Sequence, residues 1–165
     1  MIEPHDAVLI RQATKDDAPA ISAVVIKTLR ETNVKFYTAD MIDAVATNFS
    51  VDQVEARMAE RVVFVATIAG NVVGTASLHQ GTVRTVFVLP DRQGRRIGST
   101  LMARILDVAR EQGLDSLTVP SAINAESFYQ KLGFVYLSDK FEGSERIIIM
   151  RKELAPTERG TEAPC

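Results

Sequence analysis

Residues 61–89, RVVFVATIAGNVVGTASLHQGTVRTVFVL, constrain the fold more than any other part of the chain. The run is dense in β-branched residues and is broken at Gly70-Asn71 and Gln80-Gly81. β-Branched side chains suit a pleated surface, and glycine beside a polar residue suits a tight reversal. The run therefore reads as three consecutive strands, 61–68, 72–80 and 82–89. Strands joined by such short turns are antiparallel, because a parallel pair needs a long crossover. An all-parallel doubly wound sheet is excluded.

Helical periodicity lies on both sides of this block. Ile21, Val24, Val25 and Leu29 recur at helical spacing within 16–31, after Thr14 and Asp17 in capping-box spacing and with Pro19 near the start. Shorter helices are predicted over 38–49 and 50–60, the second capped by Ser50. Ile97, Leu101, Ile105 and Val108 mark a helix over 97–112, stopped by Gly113. Residues 8–13 read as a first strand, and 115–119 as a strand that ends at Pro120. A helix over 124–132 follows, with Asn124 as its candidate cap, and the chain closes on a strand pair. The order β-α-α-α-β-β-β-α-β-α-β-β describes an α/β domain with a mixed sheet. The 165 residues suit one domain, expected over 1–153, with 154–165 as a flexible tail.

Charge and composition remove several function classes. A net charge of −2 gives no overall attraction for nucleic acid. No run approaches the ~20 apolar residues of a membrane span. Cys165 is the one cysteine, which excludes an intrachain disulfide and a cysteine-based metal cluster. The first ten residues do not read as a signal peptide. A cytoplasmic protein is expected, with no metal, no membrane and no nucleic-acid partner.

The loop VLPDRQGRRIGSTL, 88–101, joins a strand to a helix and holds Arg92, Arg95 and Arg96 between Gly94 and Gly98 and their neighbours. A helix start presents unpaired N–H groups and about half a positive charge. Glycines there let a ligand approach the backbone, and guanidinium groups match phosphate oxygens. The loop is an anion cradle suited to phosphate or pyrophosphate. The glycine spacing and the missing lysine exclude a P-loop, and the preceding hairpins exclude a dinucleotide fingerprint. The alternative is a plain turn with solvated arginines.

VFVLPDRQGRRIGSTLM followed by AESFYQKLGF resembles the GNAT superfamily of acyl-CoA-dependent N-acyltransferases. The family's loop pattern [QR]-x-x-G-x-[GA] falls on Gln93, Gly94, Arg95, Arg96, Ile97 and Gly98, with Arg96 where the family has its central glycine. Tyr129, Gly133 and Phe134 match the second motif. The resemblance implies a GNAT-like, mainly antiparallel, twisted sheet flanked by helices, with central strands 82–89 and 115–119 splayed around acetyl-CoA. It implies that the backbone of Val86, Phe87 and Val88 pairs with the pantetheine arm, that Val88 N–H polarises the thioester carbonyl, and that residues 93–98 with Ser99 hold the pyrophosphate. It further implies that Tyr129 is the acid that protonates the leaving thiolate.

Other residues have two readings. Asn124 either contacts the cofactor or caps its helix; the family's usual asparagine position is Ala122 here. His79 is either a general base or an exposed hairpin histidine. Asn33, Phe36 and Tyr37 either line the acceptor side or close the core. Arg84 either pairs with an acceptor carboxylate or is a surface charge. The implied function is acetyl transfer from acetyl-CoA to a primary amine, in a small molecule or a peptide, within a ternary complex. The alternative is a non-catalytic acyl-CoA-binding or regulatory module on the same fold. A homodimer is left open.

Overall fold

A computed structural model describes residues 7–143 and 145–154. Of the tail predicted over 154–165, residues 155–165, Cys165 among them, lie outside the described residues. The elements are β1 (Val8–Gln12), α1 (Ala18–Glu31), α2 (Ala39–Thr47), α3 (Val51–Met58), β2 (Val62–Ile68), β3 (Asn71–His79), β4 (Thr82–Val88), α4 (Ile97–Glu111), β5 (Ser116–Ser121), α5 (Glu126–Lys131), β6 (Val135–Glu142) and β7 (Glu145–Glu153). The strands form one sheet in the order β1-β2-β3-β4-β5-β7-β6. Every neighbouring pair is antiparallel except β4 and β5. The sheet is thus the mixed, mainly antiparallel one expected from the hairpins.

Alternation along β2 divides the core. Phe64, Ala66 and Ile68 pack with Leu101, Met102 and Ile105 of α4. Val63 and Val65 pack with Ile21 and Val25 of α1 and with Val54 of α3. Helices therefore cover both faces, which is why residues 73–78 of β3 are buried without interruption. Leu154, placed at the head of the tail by sequence, packs into the α4 core, and its N–H donates to Asp115 O at 2.9 Å.

Local signals explain the helix starts. Thr38 Oγ1 accepts from Met41 N–H at the start of α2, and Ser50 Oγ accepts from Gln53 N–H at the start of α3. Before α1, Asp17 reaches back to accept from Thr14 N–H at 2.8 Å and also holds Arg11 through two bonds of 2.8 and 2.9 Å. Burial places α1 and α4 against the sheet on their apolar stripes.

The central strands part where the ladder loses a donor. β4 and β5 meet at one pair, Thr82 with Thr118. There Thr118 N–H donates to Gly81 O at 3.0 Å, and the two threonine hydroxyls stand 3.2 Å apart. Two residues further along β5, the position facing β4 is Pro120, which has no N–H. β5 does not end at Pro120, as its sequence predicts. It runs to Ser121, with Pro120 opposite Ile149 on the β7 side. Proline is tolerated because its nitrogen faces the gap, and the missing donor leaves β4 unpaired there.

Candidate active site

The parted strands open a cleft of about 650 Å³. Its floor is Val83, Thr85, Val86, Phe87 and Val88 of β4, facing Val119 and Pro120 of β5. One wall is the loop into α4, and the other is α5 with the turn before it.

Backbone polarity on the floor follows from the register. Leu89 N–H donates to Val73 O at 2.9 Å, and Val88 lies opposite Gly74. Alternation then turns the polar groups of Val88 away from β3 and toward the cleft. Val88 O accepts there from Gln93 Nε2 at 3.0 Å. Val86 shares that edge, whereas Phe87 bonds toward β3. Before Val86 the ladder bulges: Arg84 pairs with Ser77 and Phe87 with Thr75, so two residues of β4 oppose Ala76. Thr85 takes the strained place in the bulge, with φ of 53°.

The loop reaches α4 through Gly94 at φ 85° and Arg96 at φ 63°. Arg96 stands at the N-cap in the left-handed region, and no side chain caps the helix. The N–H groups at the start of α4 therefore remain available to an anion. Arg92, Gln93, Gly94, Arg96, Ile97, Gly98 and Ser99 all line the cleft. Arg95 is exposed and is not part of the lining, so two of the three arginines face the cleft. Ile97 contributes backbone, because its side chain is buried in the α4 core. Gly98 has a role its spacing did not suggest. A Cβ there would stand 3.2 Å from Phe128 Cε1 and Cζ, so glycine lets α4 and α5 approach closely.

Tyr129 is the buried residue of α5, with its ring edge-on to Phe128 and Phe134 at 5.0 and 5.6 Å. Tyr129 still lines the cleft. Burial pushes its phenol well above the usual tyrosine range, so it stays protonated at neutral pH.

Asn124 does not cap α5. It sits in the 3₁₀ turn Ile123–Ala125, borders the cleft, and its Oδ1 is buried with no partner among the described residues. A buried amide acceptor without a donor is costly, and an amide N–H of a ligand would satisfy it. This orphan oxygen, the uncapped start of α4 and the free edge of β4 fit an acyl-CoA: donors for phosphate at one end, and amide partners along the arm.

The remaining candidates separate. Phe36 is half-exposed and lines the cleft. Tyr37 instead bridges it from outside: its hydroxyl accepts from Ile123 N–H at 3.0 Å, tying the segment after α1 to the turn before α5. The backbone of Asn33 lies in the turn after α1, and its side chain lies outside the described set. His79 is not in the cleft. It pairs with Thr82 at the end where β4 and β5 meet, and its Nδ1 lies 3.1 Å from Glu60 O. The strands part in the opposite direction, which carries the cleft away from it. Arg84 is exposed, does not line the cleft, and its carbonyl accepts from Ser77 Oγ at 2.8 Å. Sequence reasoning missed Thr28, Thr85, Phe128 and Lys131 in the lining. The signal for Phe128 was its place beside Tyr129; Thr28 of α1 carried none.

Open β4 edge, anion-binding helix start and buried phenol together define an acyl-CoA-type transferase cleft. Residues 27–154 match the family model described as acetyltransferase (GNAT) domain. The chain is 30% identical over 138 residues to aminoalkylphosphonate N-acetyltransferase of Salmonella typhimurium, covering 76% of this chain and 83% of that one. A structure described as the GCN5-related N-acetyltransferase: Aminotransferase, Class-II from Rhodopseudomonas palustris superposes with a TM-score of 0.84 at 26% identity, over 93% of this chain and 99% of that one. That of yncA from Salmonella typhimurium, with its cofactor acetyl-CoA, gives 0.64 at 27% identity over 90% and 95%. The chain belongs to the GNAT acetyltransferase family and is an acyltransferase.

Among the described residues no helix is long and apolar enough to cross a membrane, and no group of three or more His, Cys, Asp or Glu is placed to hold a metal.

Proposed function

We propose that the chain transfers an acetyl group from acetyl-CoA to a primary amine, directly and within a ternary complex. The observation that carries this reading is the cleft itself, where the unpaired edge of β4 faces a protonated, buried Tyr129. Acetyl-CoA supplies the activated acyl carbon and a thiolate leaving group. The start of α4, with Arg92, Arg96 and Ser99, holds the phosphates. Val86 and Val88 offer strand-like backbone partners to the pantetheine arm, and Asn124 Oδ1 accepts from it. Gln93 moves off Val88 O to free that acceptor. Val88 N–H stabilises the oxyanion that forms as the amine attacks.

Three proton transfers complete the cycle. A thiol has a reference pKa of about 8.5, so the sulfur departs as a thiolate that takes up a proton. Tyr129 donates that proton, and the proton that the attacking nitrogen sheds as the amide forms returns to the phenolate through water. The amine arrives as an ammonium, only about 0.1% neutral at pH 7 for a pKa near 10. His79 lies outside the cleft, so the ammonium proton leaves through water. The amine enters past Phe36. The Salmonella relative's name puts aminoalkylphosphonates among the acceptors to be assayed here.

The test is an amine panel with acetyl-CoA, read as free thiol and as N-acetylated product. Tyr129→Phe is expected to keep acetyl-CoA affinity and to lose kcat by about 10²-fold, within the usual range for general acid catalysis. Turnover equal to wild type would remove Tyr129 from the chemistry. Acetyl-CoA binding without transfer to any amine would favour the binding-module reading.

A further inference from the structure

An acceptor amine needs hydrogen-bond acceptors, and the cleft offers it no carboxylate: among the described residues, none that lines it is acidic. One wall supplies neutral acceptors instead. Thr28 and Thr32, one turn apart on the same face of α1, both line the cleft, and Thr28 is buried. They stand at the C-terminal end of α1, where the aligned peptide dipoles leave a partial negative charge that favours a cation.

Thr28 has a defined polarity. Its hydroxyl carries one proton and two lone pairs. Oγ1 lies 2.8 Å from Val24 O, one turn back in α1, and 3.4 Å from Val88 O of β4. An O–H···O bond is about 2.5–3.0 Å long, so the proton goes to Val24 O, and Val88 O receives none from Thr28. Two acceptor oxygens, Thr28 Oγ1 and Val88 O, therefore face each other at 3.4 Å with no proton between them. That spacing lets one nitrogen stand within bonding distance of both. Gln93 Nε2, 3.0 Å from Val88 O, shows that this oxygen accepts an N–H from the cleft.

We infer that Thr28 orients the attacking amine: Thr28 Oγ1 and Val88 O accept its two N–H bonds, and Thr32 with the end of α1 draws it in as an ammonium. The inference rests on the acetyl-transfer reading for the identity of the ligand as acceptor. A neutral primary amine has two N–H bonds and one lone pair. With both N–H bonds given to the oxygens, the lone pair is left to meet the acyl carbon, which Val88 N–H holds at the same residue. Neither acceptor is charged, and this helps the chemistry. A carboxylate would favour the ammonium and oppose the loss of its proton. Thr28 takes no proton itself, and the second lone pair of Val88 O remains for the pantetheine arm. The substrate class that follows is the primary amine, since a secondary amine has one N–H for two acceptors.

Two variants and a matched pair of amines test it. Thr28→Ser keeps the oxygen, and Thr28→Val replaces it with a methyl group; the amines are the best primary amine of the panel and its N-methyl derivative. Thr28→Val is expected to lower kcat/KM for the primary amine about tenfold, as one bond to the reacting nitrogen is lost, with acetyl-CoA Kd unchanged. It should also narrow the preference for the primary amine over the N-methyl derivative, because one N–H has lost its partner. Thr28→Ser should stay within about threefold of wild type on both counts. Val24 O keeps the backbone N–H of residue 28 in either variant, so α1 loses no ladder bond. Wild-type kcat/KM in Thr28→Val overturns the inference and leaves acetyl transfer standing. A fall that spares the preference, or an equal loss of acetyl-CoA affinity, overturns it too, by assigning Thr28 to packing or to the cofactor. If no amine is acetylated, the transfer reading falls and the cradle is judged by binding. In the wild-type chain loaded with CoA, the Thr28 methyl resonance should then shift saturably with methylammonium, and an unmoved resonance overturns the cradle. The same measurement decides the matter if Thr28→Val fails to fold.

Discussion

Arg96 holds the start of α4 in a backbone region that costs an L-residue roughly 1–2 kcal/mol. The family pattern has glycine at this position, and Gly94, although nearby, has its own left-handed turn to make at φ 85°. Arg96 therefore accepts strain and places a guanidinium in the cleft lining. Arg96→Gly would relieve the strain, while the freer unfolded chain offsets about 0.5–1 kcal/mol of the gain. The melting temperature is expected to hold or to rise by about 2 °C, and the Kd for CoA to weaken several-fold as one phosphate donor is lost. Calorimetry and a thermal melt on the same variant check both. Tighter CoA binding with a lower melting temperature would mean that Arg96 serves the fold and not the ligand.

At the scale of elements, α1 is anchored through one carboxylate. Asp17 is nearly buried, with Arg11 and Thr14 N–H as its partners. The Arg11 bond, with Thr14 and the guanidinium charge adding to it, holds the Asp17 carboxyl below the usual carboxylate range against desolvation. A depressed folded-state pKa stabilises the fold fully above the unfolded value near 3.9, and the contribution is lost as pH falls through the lower folded value. Bonds to charged groups are worth about 1.5–3 kcal/mol, and the half-exposed Arg11 puts this one at the low end. Asp17→Asn should melt about 3–6 °C lower at pH 7, with the gap closing as pH drops below about 4. A gap that persists in acid would assign the loss to packing. This anchor matters for the site because α1 carries Thr28 and Thr32 to the cleft. It was legible in sequence, since Thr14 and Asp17 stand at capping spacing. The packing of Gly98 on Phe128 was not, because the two residues meet only when α4 and α5 converge.

Across the whole molecule, local patterns located the cleft and long-range contacts finished it. The glycine breaks of residues 61–89 fix the antiparallel hairpins, and Pro120 marks the gap, although the strand passes through it. The bond between Tyr37 and Ile123, across 86 positions, has no local signature. His79 illustrates the converse: a sound chemical candidate that the strand splay leaves at the closed end.

Direct transfer in a ternary complex requires the chain to hold both substrates before any bond breaks. The cleft suits this, because a phenol and backbone groups face it and, among the described residues, no thiol lines it as a nucleophile. The most direct measurement is a matrix of initial rates over acetyl-CoA and an accepted amine, with thiol release followed before and after the amine is added. The account predicts intersecting double-reciprocal lines, no thiol burst before the amine, and one thiol for each amine acetylated. Parallel lines with thiol released from acetyl-CoA alone would mean an acylated enzyme, and would contradict it.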